Sequence, residues 1–275
     1  MDDNTASDVM SPLEAFGVDV RELRQGRNMT MKGLGAAIGY SESYVSKVET
    51  AVVVPSARFA EGCDRAFGTG TLIARQYRLA VNGEHPSWFV PYIQLERCAN
   101  KILDYSTLFV MGMLQTKEYA RAVFRSGTRK ETAEVVEAKV LARIRRHELL
   151  ERDTPAPPLL WVVLHEACLR VNVGGPDVMR RQLEHLVREA ESPQVTIQLL
   201  PFGVGPPATG NAFTLLFTEG RPTVLHTEGP QGGRPYEAEK IVANGIAAYD
   251  RLRADALGLE ASIARIKDIS KEYTS

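Results

Sequence analysis

Met29-Thr-Met-Lys-Gly-Leu-Gly-Ala-Ala-Ile-Gly-Tyr-Ser-Glu-Ser-Tyr-Val-Ser-Lys-Val-Glu49 reads as two short helices with a tight turn between them. Thr30 is placed to cap the first, because a threonine hydroxyl accepts from the free N–H groups of an opening helical turn. Leu34 and Ile38 stand one turn apart on its inner side, and Gly39 supplies the left-handed residue that ends it. Ser41 caps the second helix, Glu42 to Glu49. At about 100° per residue, Val45 and Val48 point inward together, while Glu42, Ser43, Ser46 and Lys47 fall on the opposite side. That side is short, polar and free of bulk. Such a flank suits a DNA major groove, where hydroxyls, a carboxylate and an ammonium meet base edges and phosphates.

On pattern alone, two amphipathic helices around a glycine equally describe a hairpin in any helical domain. The same residues resemble the XRE, or λ-repressor-like, helix-turn-helix family. The resemblance implies that the segment after Gly39 is a recognition helix, with Ser41 as its cap and Glu42, Ser43, Tyr44, Ser46 and Lys47 as base or phosphate contacts. Thr30 and Lys32, at the start of the preceding helix, and Arg58, beyond the motif, complete the expected DNA-binding set. It also implies a structural ion pair for Glu49. The chain departs from the family at Met31, where Gln is usual, and at Thr50-Ala-Val-Val-Val-Pro55, where a basic, glycine-containing loop is usual. Gly33 and Gly35 lower the intrinsic stability of the first helix, by roughly 1 kcal/mol each relative to Ala. These departures point to modest affinity per monomer, which a dimer spanning two half-sites would offset.

Outward from this motif, residues 18–81 read as five short helices, with Phe59, Cys63 and Phe67 marking a core side at i, i+4 and i+8. Arg65, Arg75 and Arg78 read as solvated. Residues 1–16 read as a flexible lead-in, since Ser11-Pro12 disfavours helix and little before it is apolar. Asn82-Gly83 and His85-Pro86 set the end of this domain at residue 82. The expectation is therefore an all-α, five-helix domain over residues 17–82 and a larger mixed α/β (α+β) domain over residues 87–275. In the second, residues 87–152 read as a long helical stretch broken near Met111-Gly112 and Gly127. Thr154-Pro-Ala-Pro-Pro158 ends it. Residues 159–164, 195–200, 212–217 and 223–227 read as strands, residues 178–190 as a helix, and residues 237–272 as two helices around Gly258.

Several segments of the larger domain form an ordered set: Trp88-Phe-Val-Pro-Tyr-Ile-Gln-Leu-Glu96, Gly112-Met-Leu-Gln-Thr-Lys-Glu-Tyr-Ala-Arg121, His165-Glu-Ala-Cys-Leu-Arg170, Gly174-Gly175, Gln182-Leu183, Leu200-Pro201, Asn211-Ala-Phe213 and His226-Thr-Glu228. In that order they resemble a domain of unknown function found behind helix-turn-helix modules in actinobacterial, Streptomyces-type regulators, the antitoxin-like halves of paired systems. The resemblance implies transcriptional control, often repression, modulated by a small partner protein encoded nearby. Leu114, Gln115, Thr116, Glu166, Gln182, Phe213 and Glu228 are the partner- or ligand-binding candidates. Met113, His165 and His226 depart from the usual residues.

Composition bounds the remaining classes. With 275 residues, 44% of them hydrophobic, the chain can furnish two cores. Net charge is −1, and residues 1–82 hold nine Lys/Arg against ten Asp/Glu, so any DNA contact must come from a local face. No leader or membrane span is read, and a cytoplasmic location is expected. Cys63, Cys98 and Cys168 lack metal-site or redox spacing and read as buried apolar residues; no metal or cofactor is expected. His165 with Glu166, and His226 with Glu228, are the residues an enzyme would use. Neighbouring strand residues face opposite ways, and no nucleophile elbow or phosphate loop accompanies them, so no enzyme is expected. The helix around residues 139–150 mixes Lys139, Arg143, Arg145 and Arg146 with glutamates and reads as solvated or ion-paired. The leading expectation is an operator-binding repressor acting as a homodimer on double-stranded DNA. An antitoxin-like interaction module with weak DNA binding and a small-molecule sensor are the alternatives.

Overall fold

The computed structural model describes residues 12–84, 89–127, 131–229 and 232–273. The chain divides into two compact units, Met1–Pro86 and Ser87–Ser275.

Among the described residues the first unit is built from helices α1 Pro12–Gly26, α2 Met31–Ile38, α3 Glu42–Glu49, α4 Ala57–Phe67 and α5 Leu72–Glu84. Three of the starts carry the same local device: the hydroxyls of Thr30, Ser41 and Ser56 accept from the backbone N–H groups of Gly33, Tyr44 and Phe59. Gly39 ends α2 at φ 79°, a backbone angle that a side chain would strain. Leu13, Phe16, Val20, Leu34, Val45, Val48, Phe59, Cys63 and Ile73 form the core. The carboxylate of Asp64 joins α4 to α5 by accepting from Thr69 Oγ1 and from the N–H groups of Ile73 and Ala74.

Two expectations fail in this unit. Residues 12–16 are not a lead-in: Pro12 opens α1, a first-turn position where its missing N–H costs nothing, and Leu13 and Phe16 are buried. Residues 1–11 lie outside the described residues. Asn82-Gly83 does not end the last helix either, since α5 runs to Glu84.

The second unit contains α6 Val90–Cys98, β1 Lys101–Ser106, α7 Lys117–Gly127, α8 Ala133–Arg145, α9 Glu148–Glu151, β2 Leu159–His165, α10 Ala167–Arg170, α11 Pro176–Glu189, β3 Val195–Leu200, β4 Phe213–Phe217, β5 Val224–Gly229, β6 Gly232–Tyr236, α12 Glu239–Asp255 and α13 Leu259–Glu272. The sheet runs β3-β2-β1-β4-β5-β6, parallel on the β3-β2-β1 side and antiparallel from β1 through β6. One face carries Ile102, Leu160, Val162, Leu164, Ile197, Leu199 and Leu216, in one core with Ile93, Met179, Leu183, Leu186, Ile266 and Ile269 from the helices. The other carries Leu103, Tyr105, Val163, Leu200, Phe213, Leu215 and Leu225 against Val242, Tyr249 and Leu252 of α12. Beyond β3, the link between α12 and α13 covers the border: Leu199 accepts from Leu257 N–H and its own N–H donates to Ser262 Oγ.

The strand at the centre of the sheet, β1, lies inside the stretch expected to be helical. Lys-Ile-Leu-Asp-Tyr-Ser is short and carries two charged residues, so it lacks the uniform apolar run of a buried strand. Its Asp104 is nevertheless buried, accepting from the hydroxyls of Ser106 and Thr214. The last strand, β6, also escapes sequence reading because Gly-Gly-Arg-Pro-Tyr looks like a loop. A proline is tolerated at a sheet border. Cys63 and Cys168 are buried as expected, but Cys98 is exposed at the end of α6.

Candidate nucleic-acid interface

The tight turn between α2 and α3 depends on one glycine besides Gly39. A Cβ at Gly35 would lie 2.6 Å from the carbonyl oxygen of Tyr40, so only a bare backbone lets α2 cross the turn at this distance. The helix-weakening Gly35 is therefore the residue that permits the motif. Behind α3, Val45 and Val48 are buried, and Glu49 is held by α1. Arg24 grips it through two hydrogen bonds, Nε to Oε1 at 2.6 Å and Nη2 to Oε2 at 2.8 Å, and Arg21 donates to its carbonyl oxygen. The hydrogen-bonded carboxylate holds the Arg24 guanidinium above its ordinary pKa. A planar two-point clamp of this kind fixes helix orientation as well as charge.

On the other side of α3, Glu42, Ser43 and Lys47 are exposed and Ser46 is half-buried. Thr30, Lys32 and Ser41 are exposed on and beside the starts of α2 and α3, and Arg58 is exposed in the first turn of α4. Tyr44 differs from this set. Its ring is half-buried, stacked on Tyr40 with centroids 4.7 Å apart, and 5.6 Å from Phe59. Tyr40 in turn bonds Ser56 Oγ through its hydroxyl at 2.7 Å. The aromatic body of Tyr44 thus braces the turn against α4.

In the second unit, the candidate residues separate. Leu114 and Phe213 are core side chains. Gln115 donates to Val110 O and accepts from Arg143; Gln182 accepts from Thr116 N–H and donates to Leu114 O. Leu-Gln-Thr and Gln182 therefore lock the short turn at Gly112–Leu114 onto α11, spending their polar groups inside the fold. Glu166 is buried, accepting from Arg170, Arg265 and the N–H of Phe202. Burial opposes its charge, yet Arg170 and the Phe202 N–H hold its pKa below the usual carboxylate range. Glu228 is exposed.

Sequence reading passed over a buried polar group in this unit. Arg146, expected on a solvated or ion-paired face, is paired but buried: it clamps Glu96 at 2.7 and 2.9 Å and lies over the rings of Phe89 and Tyr92. Asp104, Thr214 and His226 stand in register across β1, β4 and β5. Burial pushes the Asp104 carboxyl up to about 6, against the hydrogen bonds of Ser106 and Thr214 that favour its charge. Because the folded value lies above the ordinary 3.8, this group favours folding below pH 4, and its contribution is lost as pH rises through about 6. The loss is on the order of 3 kcal/mol at about 1.4 kcal/mol per pKa unit. Asp104→Asn is expected to flatten the fall in unfolding free energy between pH 4 and pH 6, measured by urea titration at each pH.

Two family models match the chain. Residues 15–75 match one described as a helix-turn-helix domain, and residues 89–268 match one described as a domain of unknown function (DUF5753). The second spans more than half of the sequence, and the chain belongs to that family. Its first unit is a helix-turn-helix domain of the kind DNA-binding regulators carry. No curated protein and no solved structure matches the chain. Among the described residues no helix is long and apolar enough to cross a membrane, and no group of three or more His, Cys, Asp or Glu is arranged to hold a metal ion.

Proposed function

We propose that the chain is a sequence-specific operator-binding regulator, a repressor working as a homodimer, and not an enzyme. The observation that carries this reading is the outward flank of α3. Ser43 and Lys47 are exposed on a helix whose other side is pinned by Val45, Val48 and the Arg24–Glu49 clamp. A helix fixed from behind and bare in front can enter a major groove without reorganising. The starts of α2 and α3, with Thr30, Lys32 and Ser41, offer N–H groups and positive dipole ends to phosphates on either side. The second unit would supply the dimer contacts and the seat for a small partner protein. Pairing two weak monomers over half-sites about one helical turn apart multiplies their affinities.

A double variant, Ser43→Ala with Lys47→Ala, is expected to weaken binding to the DNA upstream of its own gene by at least tenfold while leaving the fold intact. Footprinting and gel shift, with circular dichroism as the control, measure this. Equal protection by variant and wild type would end the operator reading. One observation favours a second reading, an interaction module with feeble DNA binding: the segment after α3, residues 50–55, has no cation, and its Val52 is 51% exposed. Under that reading the double variant keeps full activity in cells.

A further inference from the structure

We propose that Glu42 determines sequence specificity on the recognition helix: its carboxylate accepts from the amino group of a cytosine in each operator half-site and opposes binding where no such group is present. The proposal rests on the operator reading and names a base which that reading leaves open.

The polar groups at the start of α3 differ in how much of their bonding capacity the fold already uses. Ser41 is exposed, but its hydroxyl accepts from Tyr44 N–H at 3.1 Å and so holds the helix start. Tyr44 packs its ring on Tyr40 and against Phe59, with centroids 4.7 and 5.6 Å away. Glu49, the other acidic residue of α3, has both carboxylate oxygens taken by Arg24. Glu42 is the opposite case. It opens the helix and is exposed, and among the described residues its carboxylate has neither an ion pair nor a hydrogen-bond donor.

An ionised carboxylate can only accept hydrogen bonds. At the floor of the major groove guanine and thymine present acceptors, whereas cytosine N4 and adenine N6 present donors. Adenine sets its N7 lone pair beside that donor, where it repels the second carboxylate oxygen. Cytosine sets a C–H there, so cytosine is the base a carboxylate fits. The position of Glu42 agrees, because residues at the N-terminal end of a recognition helix reach base edges. The positive end of the helix dipole also favours an anion in this first turn.

The same charge acts against wrong sequences. Phosphates repel it, and at a site without a cytosine amino group it gives up water and gains no donor. Lys47 and Ser43 carry no such penalty, since an ammonium attracts any phosphate and a hydroxyl either donates or accepts.

The test uses the full chain as wild type, Glu42→Gln and Glu42→Ala, with circular dichroism to check the fold. Each selects binders from a random-sequence duplex library. Affinities for the wild-type consensus and for an unrelated duplex are then measured at one salt concentration. The wild-type consensus is expected to contain a C·G pair in each half-site that depends on residue 42. Glu42→Gln should select A·T there instead, because a glutamine amide accepts from adenine N6 and donates to N7. Glu42→Ala should lose the preference at that pair, bind the wild-type consensus about tenfold more weakly, and bind the unrelated duplex more tightly than wild type does. The proposal is overturned if both variants select the wild-type base at every position, or if Glu42→Ala leaves the ratio of consensus to unrelated binding unchanged. A wild-type consensus that neither variant alters removes the role of Glu42 and leaves the operator reading standing. A wild-type chain that enriches no sequence removes both.

Discussion

Glu49→Ala is expected to destabilise the first unit strongly. The substitution removes a carboxylate whose side chain is fully buried and strands the Arg24 guanidinium, itself 7% exposed. Breaking one side of a buried pair costs about 3–5 kcal/mol, because the remaining charge loses its partner without regaining water. Small domains are stable by only about 5–15 kcal/mol in total. Among the described residues Arg24 would keep its bond to Met29 O alone. Hydrogen exchange resolved by residue should show lost protection across α1–α3 while β1–β3 stay protected. The companion variant, Arg24→Met with Glu49→Met, exchanges the pair for apolar volume and should recover most of the loss. If Glu49→Ala exchanges as slowly as wild type, the clamp does not hold α3 in place, and the support claimed for its outward flank goes with it.

Glu96→Ala should have an effect of similar size in the second unit. Arg146 is buried, and Glu96 accepts from two of its nitrogens. Without that carboxylate the guanidinium keeps the faces of Phe89 and Tyr92, at 5.3 and 5.4 Å, and its like-charged neighbour Arg143. The two cation–π contacts are already made in the wild type, so they offset none of a loss of about 3–5 kcal/mol. Urea unfolding followed through Trp161, which bonds Gln198 and lies under Arg253, reports on this unit. The midpoint should fall sharply. Glu96→Gln, which keeps one acceptor, should fall less.

The sequence yields the first unit because its information there is local. A hydroxyl cap, a left-handed glycine and two inward valines are read within a single turn of helix each, and all appear in α2 and α3. Clues resting on distant partners stay hidden. Arg146 looks like one more cation on a mixed helix until Glu96, 50 residues away, is placed beside it. Asp104 argues against a strand until Thr214, 110 residues away, accounts for its burial. Gln182 and Leu-Gln-Thr stand out as a motif and suggest recognition, whereas in the fold they hold a turn to a helix. Gly35 shows the reverse error, since propensity counts its cost and cannot see the Tyr40 carbonyl that requires it.

Beyond β3 the backbone N–H and C=O of Leu199 are taken by Ser262 and Leu257, whereas among the described residues no strand pairs beyond β6. A second polypeptide joining this β-layer edge to edge finds the more open side at β6, which is five residues long and interrupted by Pro235, which cannot donate. Lateral growth of the layer into fibrils is thus discouraged at both margins, by occupied backbone groups at one and by a missing N–H at the other.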